Sequence, residues 1–564
     1  MDGSIVHIVA AAMVLALVCG CVHQQPAPAR ARTSPAEAVI PRYDVMDVSL
    51  FSRASLGNPF WDASAKASFS SPSGKNIEVE GFYYGDGEWR VRFVPREEGQ
   101  WTYRATLMTG KMLDEKRGQF ICRGSAGHGF IRVSKVNPYR WEYEDGTPFY
   151  PIGIQTCSFL KPDFDGPDEA GKWRSTTTEN WLSEFTGAVN LVRTQFGQGT
   201  TDGCAVPLIP APPRAQAGAA SKPAEPIAPD RYDLDLARKV DEKYRLHRAA
   251  GISQILICFQ DMSLFGEPMH AFGGGHDLKQ NKSVTAANMP LQEKYLRYLV
   301  ARYGAFVDVW ELYNEDTWSP DDYLAHLASV IRKADPYGHV VTTNLARPKA
   351  AWNDIITWHE YMGMPAEQVD AHLAGQAALW KSYGKLVQNT EFGNQGGLSN
   401  VDPVKWRIAV WTSYMNECHL LFWGMSGRKV EAGAIKSGNA NAYIGPDSRQ
   451  HFRVLNNFTK DMPLDMRPVF SGFTRHNAIR HWALSNGKVT ALYIHHFADH
   501  EKEYASDLPF WVDTGPGAFR IRWISPENGE EVAAVEASTP SQYLEIRIPT
   551  LKVDLAARID RIGP

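Results

Sequence analysis

The chain has 564 residues, 44% of them hydrophobic and 22% charged, with a formal net charge of −4. Such a balance describes a globular chain with ample core, and its length exceeds one ordinary domain and suggests about three. The lack of a basic excess argues against nucleic acid as a partner.

At the N-terminus, Ile5 to Val18 is nearly continuous apolar sequence. That length suits the apolar region of an export signal and is too short to span a bilayer. The following Val18-Cys19-Gly20-Cys21 resembles a bacterial lipobox. The resemblance implies a signal peptide over 1–21, lipidation at Cys21, and an exported protein anchored in the bacterial cell envelope. Asp2 and the absence of Lys or Arg before Ile5 depart from the usual export pattern. Residues 22–41 are dominated by Pro, Ala, Arg and Ser toward their start, the composition of a flexible tether. The remaining cysteines, Cys122, Cys157, Cys204, Cys258 and Cys418, are scattered and odd in number, so no disulfide framework or metal spacing is legible.

Residues 42–125 alternate apolar and polar side chains in short runs, as in Asn76 to Tyr84, separated by turn signals such as Asp86-Gly87 and Glu98-Gly99. This pattern predicts a β-sandwich. Its Asn58-Pro59-Phe60-Trp61-Asp62, Gly85 to Phe93 and Gly99-Gln100-Trp101-Thr102-Tyr103 resemble a sandwich module often fused ahead of bacterial glycosidase barrels.

Residues 126–465 alternate short apolar strands with helical patterns, which predicts a parallel (β/α)8 barrel. Eight strands are expected to end near Ile154, Arg193, Cys258, Asn314, Asn344, His359, Glu391 and Trp423. Intervening helices are expected over Tyr232 to Ala250, Leu291 to Tyr303, Pro320 to Ala334, Ala366 to Tyr383 and Pro403 to Asn416. One connection is anomalous. Gly197 to Asp230 is rich in Pro and Ala without periodicity, and a long loop leaving the second strand belongs near the mouth of an active site. Residues 466–564 return to alternation and predict a second β-sandwich, either a carbohydrate-binding module or an inert domain packed on the barrel.

Two runs carry candidate chemistry: Trp310-Glu311-Leu312-Tyr313-Asn314-Glu315 and Asn389-Thr390-Glu391-Phe392-Gly393. Each follows an apolar strand and each carries a carboxylate at or near its end, beside small or amide residues. Glu315 and Glu391 are 76 residues apart, the room that three βα units of roughly 25 residues need in a barrel of about 200 to 250 residues. Both would surface on one face. Retaining glycoside cleavage needs two such carboxyls about 5 to 5.5 Å apart, one to protonate the leaving oxygen and one to attack the anomeric carbon. Asn314 can bond a sugar 2-hydroxyl.

Asn-Glu after the fourth strand and Glu after the seventh resemble the clan A glycoside hydrolases, retaining barrel enzymes that include cellulases, mannanases and galactosidases. The resemblance implies Glu315 as acid/base and Glu391 as nucleophile. It implies that Arg193 orients the nucleophile, that Tyr361 touches it, that His359 lines the sugar site and that Trp423 is a sugar platform. Ordinary ion pairing, a satisfied structural histidine and core packing are the competing uses of Arg193, His359 and Trp423. Among other carboxylates, Glu360 should point away from its strand neighbours. Glu311 should share the facing of Glu315 but lie deeper, and Asp261 and Asp316 have no distinguishing motif.

No Gly-x-Ser-x-Gly elbow or His-Glu-x-x-His site is present, and Gly273-Gly274-Gly275 lacks the Lys-Ser/Thr of a phosphate loop. The expectation is therefore a metal-free, cofactor-free retaining glycoside hydrolase acting on an oligo- or polysaccharide, its oligomeric state open. A transglycosylase with the same residues and a catalytically dead carbohydrate-binding surface protein remain as alternatives.

Overall fold

The computed structural model describes residues 38–156, 163–167, 173–195, 230–259, 289–316, 319–361, 363–393, 402–423, 444–472 and 478–564. The export signal with Cys21, most of the Gly197 to Asp230 segment, Asp261 and the Gly273 to Gly275 run lie outside these residues.

The N-terminal region is two packed sheets, antiparallel except for the first strand. One sheet has five strands in the order Ala38–Pro41, Lys111–Arg123, Gly99–Thr109, Ser64–Ser70 and Asn76–Glu80. The other has three, Met46–Phe51, Glu88–Phe93 and Phe82–Gly85. Between them lie Leu50, Phe69, Trp89, Phe93, Trp101 and Phe120, with the Phe69 and Phe93 rings stacked at 3.9 Å. The expected tether over 22–41 needs correction at its end. Ala38 to Pro41 pair in parallel with Phe120 to Arg123, covering part of the edge that the Lys111–Arg123 strand presents on the side away from Gly99–Thr109.

The centre is an eight-stranded parallel barrel: β1 Ile152–Thr156, β2 Leu191–Gln195, β3 Ser253–Phe259, β4 Val309–Tyr313, β5 Val340–Thr342, β6 Ile356–Glu360, β7 Val387–Phe392 and β8 His419–Phe422. The described helices around it are α1 Thr178–Phe185, α2 Leu234–Ala249, α3 Met289–Tyr303, α4 Asp321–Ala334, α5 Ala366–Lys381, α6 Pro403–Met415 and α7 Pro446–Thr459. β3 reads Ser-Gln-Ile-Leu-Ile-Cys-Phe and every residue is buried, as expected for a strand covered on both faces. Two of the helices start on aspartates that cap them. Asp233 accepts from Leu236 N, and Asp402 accepts from Val404 N and Lys405 N with Pro403 at the first helical position.

Among the described residues, regular βα alternation breaks between β5 and β6. No helix separates β5 from β6, so one of the three units between the candidate carboxylates lacks its helix. The same two strands form no ladder with each other. Side chains bridge the seam instead: Thr342 Oγ1 donates to Ile355 O (3.1 Å), Thr357 Oγ1 to Thr343 O (2.9 Å), and Val341 N to Asp354 Oδ2 (2.8 Å).

A small sheet of Ile131–Val133, Trp141–Tyr143 and Pro148–Phe149 precedes the barrel and plugs its floor. Ile131, Trp141 and Phe149 share one apolar cluster with Leu191, Ile255, Val309, Val340 and Leu421. Trp141 Nε1 reaches Gln388 Oε1 on β7 at 3.3 Å. Sequence alternation placed this segment inside the barrel region without revealing that it is a separate plug.

Both flanking regions are fixed to the barrel. Arg92, fully buried, donates to Asp47, to Asp241 on α2 (3.0 Å) and to the carbonyl of Arg302 on α3 (2.7 Å). The C-terminal region has a six-stranded sheet, ordered Arg467–Val469, Arg480–Ser485, Val489–His495, Asp554–Gly563, Gly517–Ile524 and Glu531–Thr539. A three-stranded sheet of Ser471–Gly472, Phe510–Asp513 and Tyr543–Ile546 faces it. Leu484, Ala491, Tyr493 and Ala556 join Trp411 of α6 and Phe458 of α7 in the barrel's own apolar cluster.

Gly153 on β1 is a point of close approach. A Cβ there would lie 2.6 Å from Leu421 Cγ on β8. Gly153→Ala is therefore expected to lower stability by about 1–3 kcal/mol through overpacking, read as a reduced urea midpoint at unchanged slope.

Candidate active site

The polar centre sits above the apolar floor, toward the C-terminal ends of the strands. Arg193 on β2 is fully buried, and its guanidinium is divided among four groups. Its Nε donates to Glu311 Oε2 on β4 at 2.8 Å, and one terminal nitrogen also bonds Glu311 Oε1. That nitrogen reaches Asn314 Oδ1 at 2.6 Å. The other terminal nitrogen donates to Gln155 Oε1 on β1 at 2.8 Å and to Glu391 Oε1 on β7 at 3.0 Å. Burial alone would weaken the guanidinium's hold on its proton, but the Glu311 and Glu391 carboxylates reverse this and keep it firmly charged.

Glu391 meets a second donor at its other oxygen: Tyr361 OH donates to Oε2 at 2.6 Å. Burial and the adjacent Glu391 charge push the Tyr361 hydroxyl well above its ordinary range, so it remains a neutral donor. His359 Nδ1 lies 2.8 Å from Glu315 Oε1 and 3.5 Å from Glu391 Oε2, between the two carboxylates. Trp423, half-buried just beyond β8, has its ring centroid 5.6 Å from that of Tyr361. Arg193, Asn314, Glu315, His359, Tyr361, Glu391 and Trp423 thus gather in one site.

Local backbone features aim these groups. β4 ends at Tyr313, and Glu315 adopts a left-handed conformation with φ 51°. Asn314 and Glu315 therefore both reach the site, and the expectation that Glu311 and Glu315 share a facing on one strand is corrected. Glu311 belongs to the strand and is fully buried against Arg193, whereas Glu315 lies past the strand's end. On β7 the register slips between the Trp358–Asn389 and His359–Glu391 pairs. This bulge turns Thr390 and Glu391 toward neighbours within the barrel: Thr390 Oγ1 accepts from Asn344 Nδ2 (3.2 Å) while Glu391 meets Arg193.

Asn344, just beyond β5, braces the other carboxylate. Its Oδ1 accepts from Glu315 N at 3.2 Å, and its carbonyl accepts from Asp316 N at 2.8 Å. Sequence reasoning assigned no role to Asn344, Gln155 or Thr390, since amide and hydroxyl residues at strand ends carry no spacing signal. Glu360 faces away and pairs with His372 on α5, as alternation requires. Asp316 Oδ1 accepts from Ser319 N (2.9 Å), closing the turn after Glu315.

Burial would raise the Glu315 carboxyl, but the His359 hydrogen bond and charge, with Arg193, outweigh it and hold the group below its ordinary value of 4.5. One oxygen of Glu315, one of Glu391 and one His359 ring nitrogen lie within 4.8 Å of one another, a spacing a divalent cation could bridge. The Arg193 cation, already on Glu391, opposes a second positive charge there. The donor set suits proton handling better than metal binding.

Comparison with known proteins bears on the fold. Residues 39–108 match a family model described as a domain of unknown function, DUF5060. No curated protein matches the chain. A candidate glycoside hydrolase from Bacteroides vulgatus ATCC 8482 aligns over 93% of this chain and all of its own, with TM-score 0.68 and 18% identity. A glycoside hydrolase family 5 protein from the same organism aligns over 77% of this chain and 94% of its own, with TM-score 0.50 and 14% identity. The chain therefore shares with these structures its fold, a (β/α)8 barrel with flanking β-sandwich regions.

The lowered Glu315 value has a consequence for stability. A carboxyl depressed in the folded state contributes stability above its unfolded value, and that contribution is lost as pH falls through the folded value. The unfolding midpoint should fall on acidification below about pH 4.5, and Glu315→Gln should make that fall shallower, as measured by thermal unfolding between pH 6 and 3.

Proposed function

We propose that this protein is a retaining glycoside hydrolase, with Glu391 as nucleophile and Glu315 as acid/base, acting on an oligo- or polysaccharide. The observation that carries this reading is the pairing of two carboxylates with different surroundings. Glu391 has a guanidinium on one oxygen and a phenol on the other, which hold the carboxyl oriented for attack. Glu315 has one imidazole partner and greater exposure, suited to exchange of a proton with a leaving group.

Oxygens of the two groups lie within 4.8 Å, a closeness in keeping with double displacement, since inversion leaves room for a water and needs roughly 6.5–9.5 Å between carboxyls. In the first step Glu391 bonds the anomeric carbon while Glu315 gives its proton to the departing glycosidic oxygen. In the second, Glu315 takes a proton from water, whose oxygen displaces Glu391. His359 Nδ1 can share a proton with Glu315, and covering the site with a sugar strengthens the burial effect that raises its pKa. In this reading Asn314 bonds the 2-hydroxyl and Trp423 takes the sugar face.

A screen of aryl glycosides and polysaccharides with reducing-sugar detection tests the activity and its substrate together. Glu391→Ala should lose turnover of every substrate and regain some with azide, giving a glycosyl azide of inverted configuration. Glu315→Ala should lose about 10²–10⁴-fold on poor leaving groups and much less on activated aryl glycosides. An inverted azide product from the Glu315 variant would exchange the two roles.

We also propose export and anchoring at Cys21, from the motif alone. Cys21→Ser should abolish metabolic labelling with palmitate and release the protein from the membrane fraction of a bacterial host.

A further inference from the structure

A cleft of about 240 Å³ lies between the N-terminal sandwich and α3, away from the carboxylate pair. Phe60, Trp61 and Tyr83 supply aromatic wall, while Glu80, Lys294 and Arg297 supply charge. Phe60 and Tyr83 meet edge to face at 5.3 Å, and Phe60 also packs on Tyr298 of α3 at 6.1 Å. Both rings and Trp61 are only half-buried. The wall is thus braced, and its rings retain open surface.

The charges are unequal. Arg297 and Glu80 satisfy each other in a two-pronged pair at 2.9 and 3.0 Å. Lys294 has no ion pair or hydrogen bond among the described residues. Its ammonium stands 5.3 Å from the Trp61 ring centroid. Among the described residues, the cleft consequently holds one uncompensated positive charge beside an aromatic wall.

Its place in the fold matters. α2 and α3 follow β2 and β3, so both helices begin at the C-terminal face of the barrel, where Glu315 and Glu391 stand. Lys294 is five residues into α3, about 7.5 Å along its axis. Trp61 Nε1 and Asn58 Nδ2 both donate to the carbonyl of Asp230, just ahead of α2, at 3.0 and 3.2 Å. The aromatic wall is therefore tied to the barrel at the rim that carries the catalytic mouth.

We propose that this cleft is a second saccharide-binding site, selective for a sugar bearing an anionic group, either a carboxylate or a sulfate ester. Aromatic rings take the C–H face of a sugar and the Lys294 ammonium takes the anion. The volume, about 240 Å³, lies just below the usual range of ligand pockets, which run from about 300 Å³ upward, and suits a sugar ring rather than a protein partner. The proposal rests on the glycosidase reading for its choice of ligand. It places an acidic polysaccharide chain across the junction of sandwich and barrel while another part of that chain lies in the active site.

The test uses full-length Glu391→Gln protein, so that no turnover intervenes, titrated calorimetrically with three probes. These are an oligogalacturonide for the carboxylate, a carrageenan oligosaccharide for the sulfate ester, and neutral cellohexaose. At least one anionic probe should bind, more weakly as salt rises, and the two anionic arms separate carboxylate from sulfate. Adding Lys294→Met or Trp61→Leu should weaken that binding at least tenfold. In otherwise wild-type protein Lys294→Met should leave the melting temperature and turnover of a small aryl glycoside unchanged. The proposal is overturned if neither anionic probe binds, if cellohexaose binds as tightly as both, or if Lys294→Met leaves anionic binding intact. Failure of the glycosidase reading shows separately, as aryl glycoside turnover that survives Glu391→Ala.

Discussion

The buried guanidinium of Arg193 is the constraint around which the barrel's polar centre is arranged. A full charge removed from water must be compensated, and here Glu311, Glu391, Asn314 and Gln155 do so from three other strands and the turn after one of them. Glu311 takes one edge of the planar group, which fixes its orientation and directs its other nitrogen at Glu391. Glu391 cannot move without leaving that nitrogen only the neutral Gln155 amide as a partner. The candidate nucleophile is thus positioned by a network that spans the barrel, with Tyr361 completing it from β6.

Beneath that centre the barrel needs a dry floor, because water reaching Arg193 from below would screen every contact it makes. The plug formed by Ile131, Trp141 and Phe149 supplies it. The flanking sandwiches are likewise continuous with the barrel. Arg92 links the first to α2 and α3 through buried charge, and Tyr493 and Ala556 of the second lie in the apolar cluster of α6 and α7. This integration makes the junctions candidate surfaces for ligands, as the cleft beside α3 illustrates.

The seam between β5 and β6 has its own logic. Without a helix between them and without a shared ladder, these strands are joined through Thr342, Thr357 and Asp354. Asn344 leaves β5 at this seam and braces both the Glu315 turn and Thr390 of the bulge. The least regular part of the barrel therefore lies beside the residues whose placement is most demanding, in keeping with local irregularity at sites where side chains must be re-aimed.

Much of this was legible in the chain itself. Period-two alternation marked both sandwiches, and apolar runs punctuated by helical stretches marked eight barrel strands, because burial on one or both faces of a strand imposes its pattern locally. Strand ends bearing Asn314-Glu315, His359-Glu360-Tyr361 and Glu391 exposed the candidate site, since a parallel barrel brings all such ends to one face. Tertiary structure alone decided the rest. The plug, the missing helix before β6, the left-handed turn at Glu315, the bulge at Glu391 and the anchoring of Arg193 by Glu311 and Gln155 leave no periodic trace. Each depends on which strand lies beside which, and at what register, and those are relations between residues far apart in the chain that satisfy one another's charge and hydrogen bonds only once the barrel has closed.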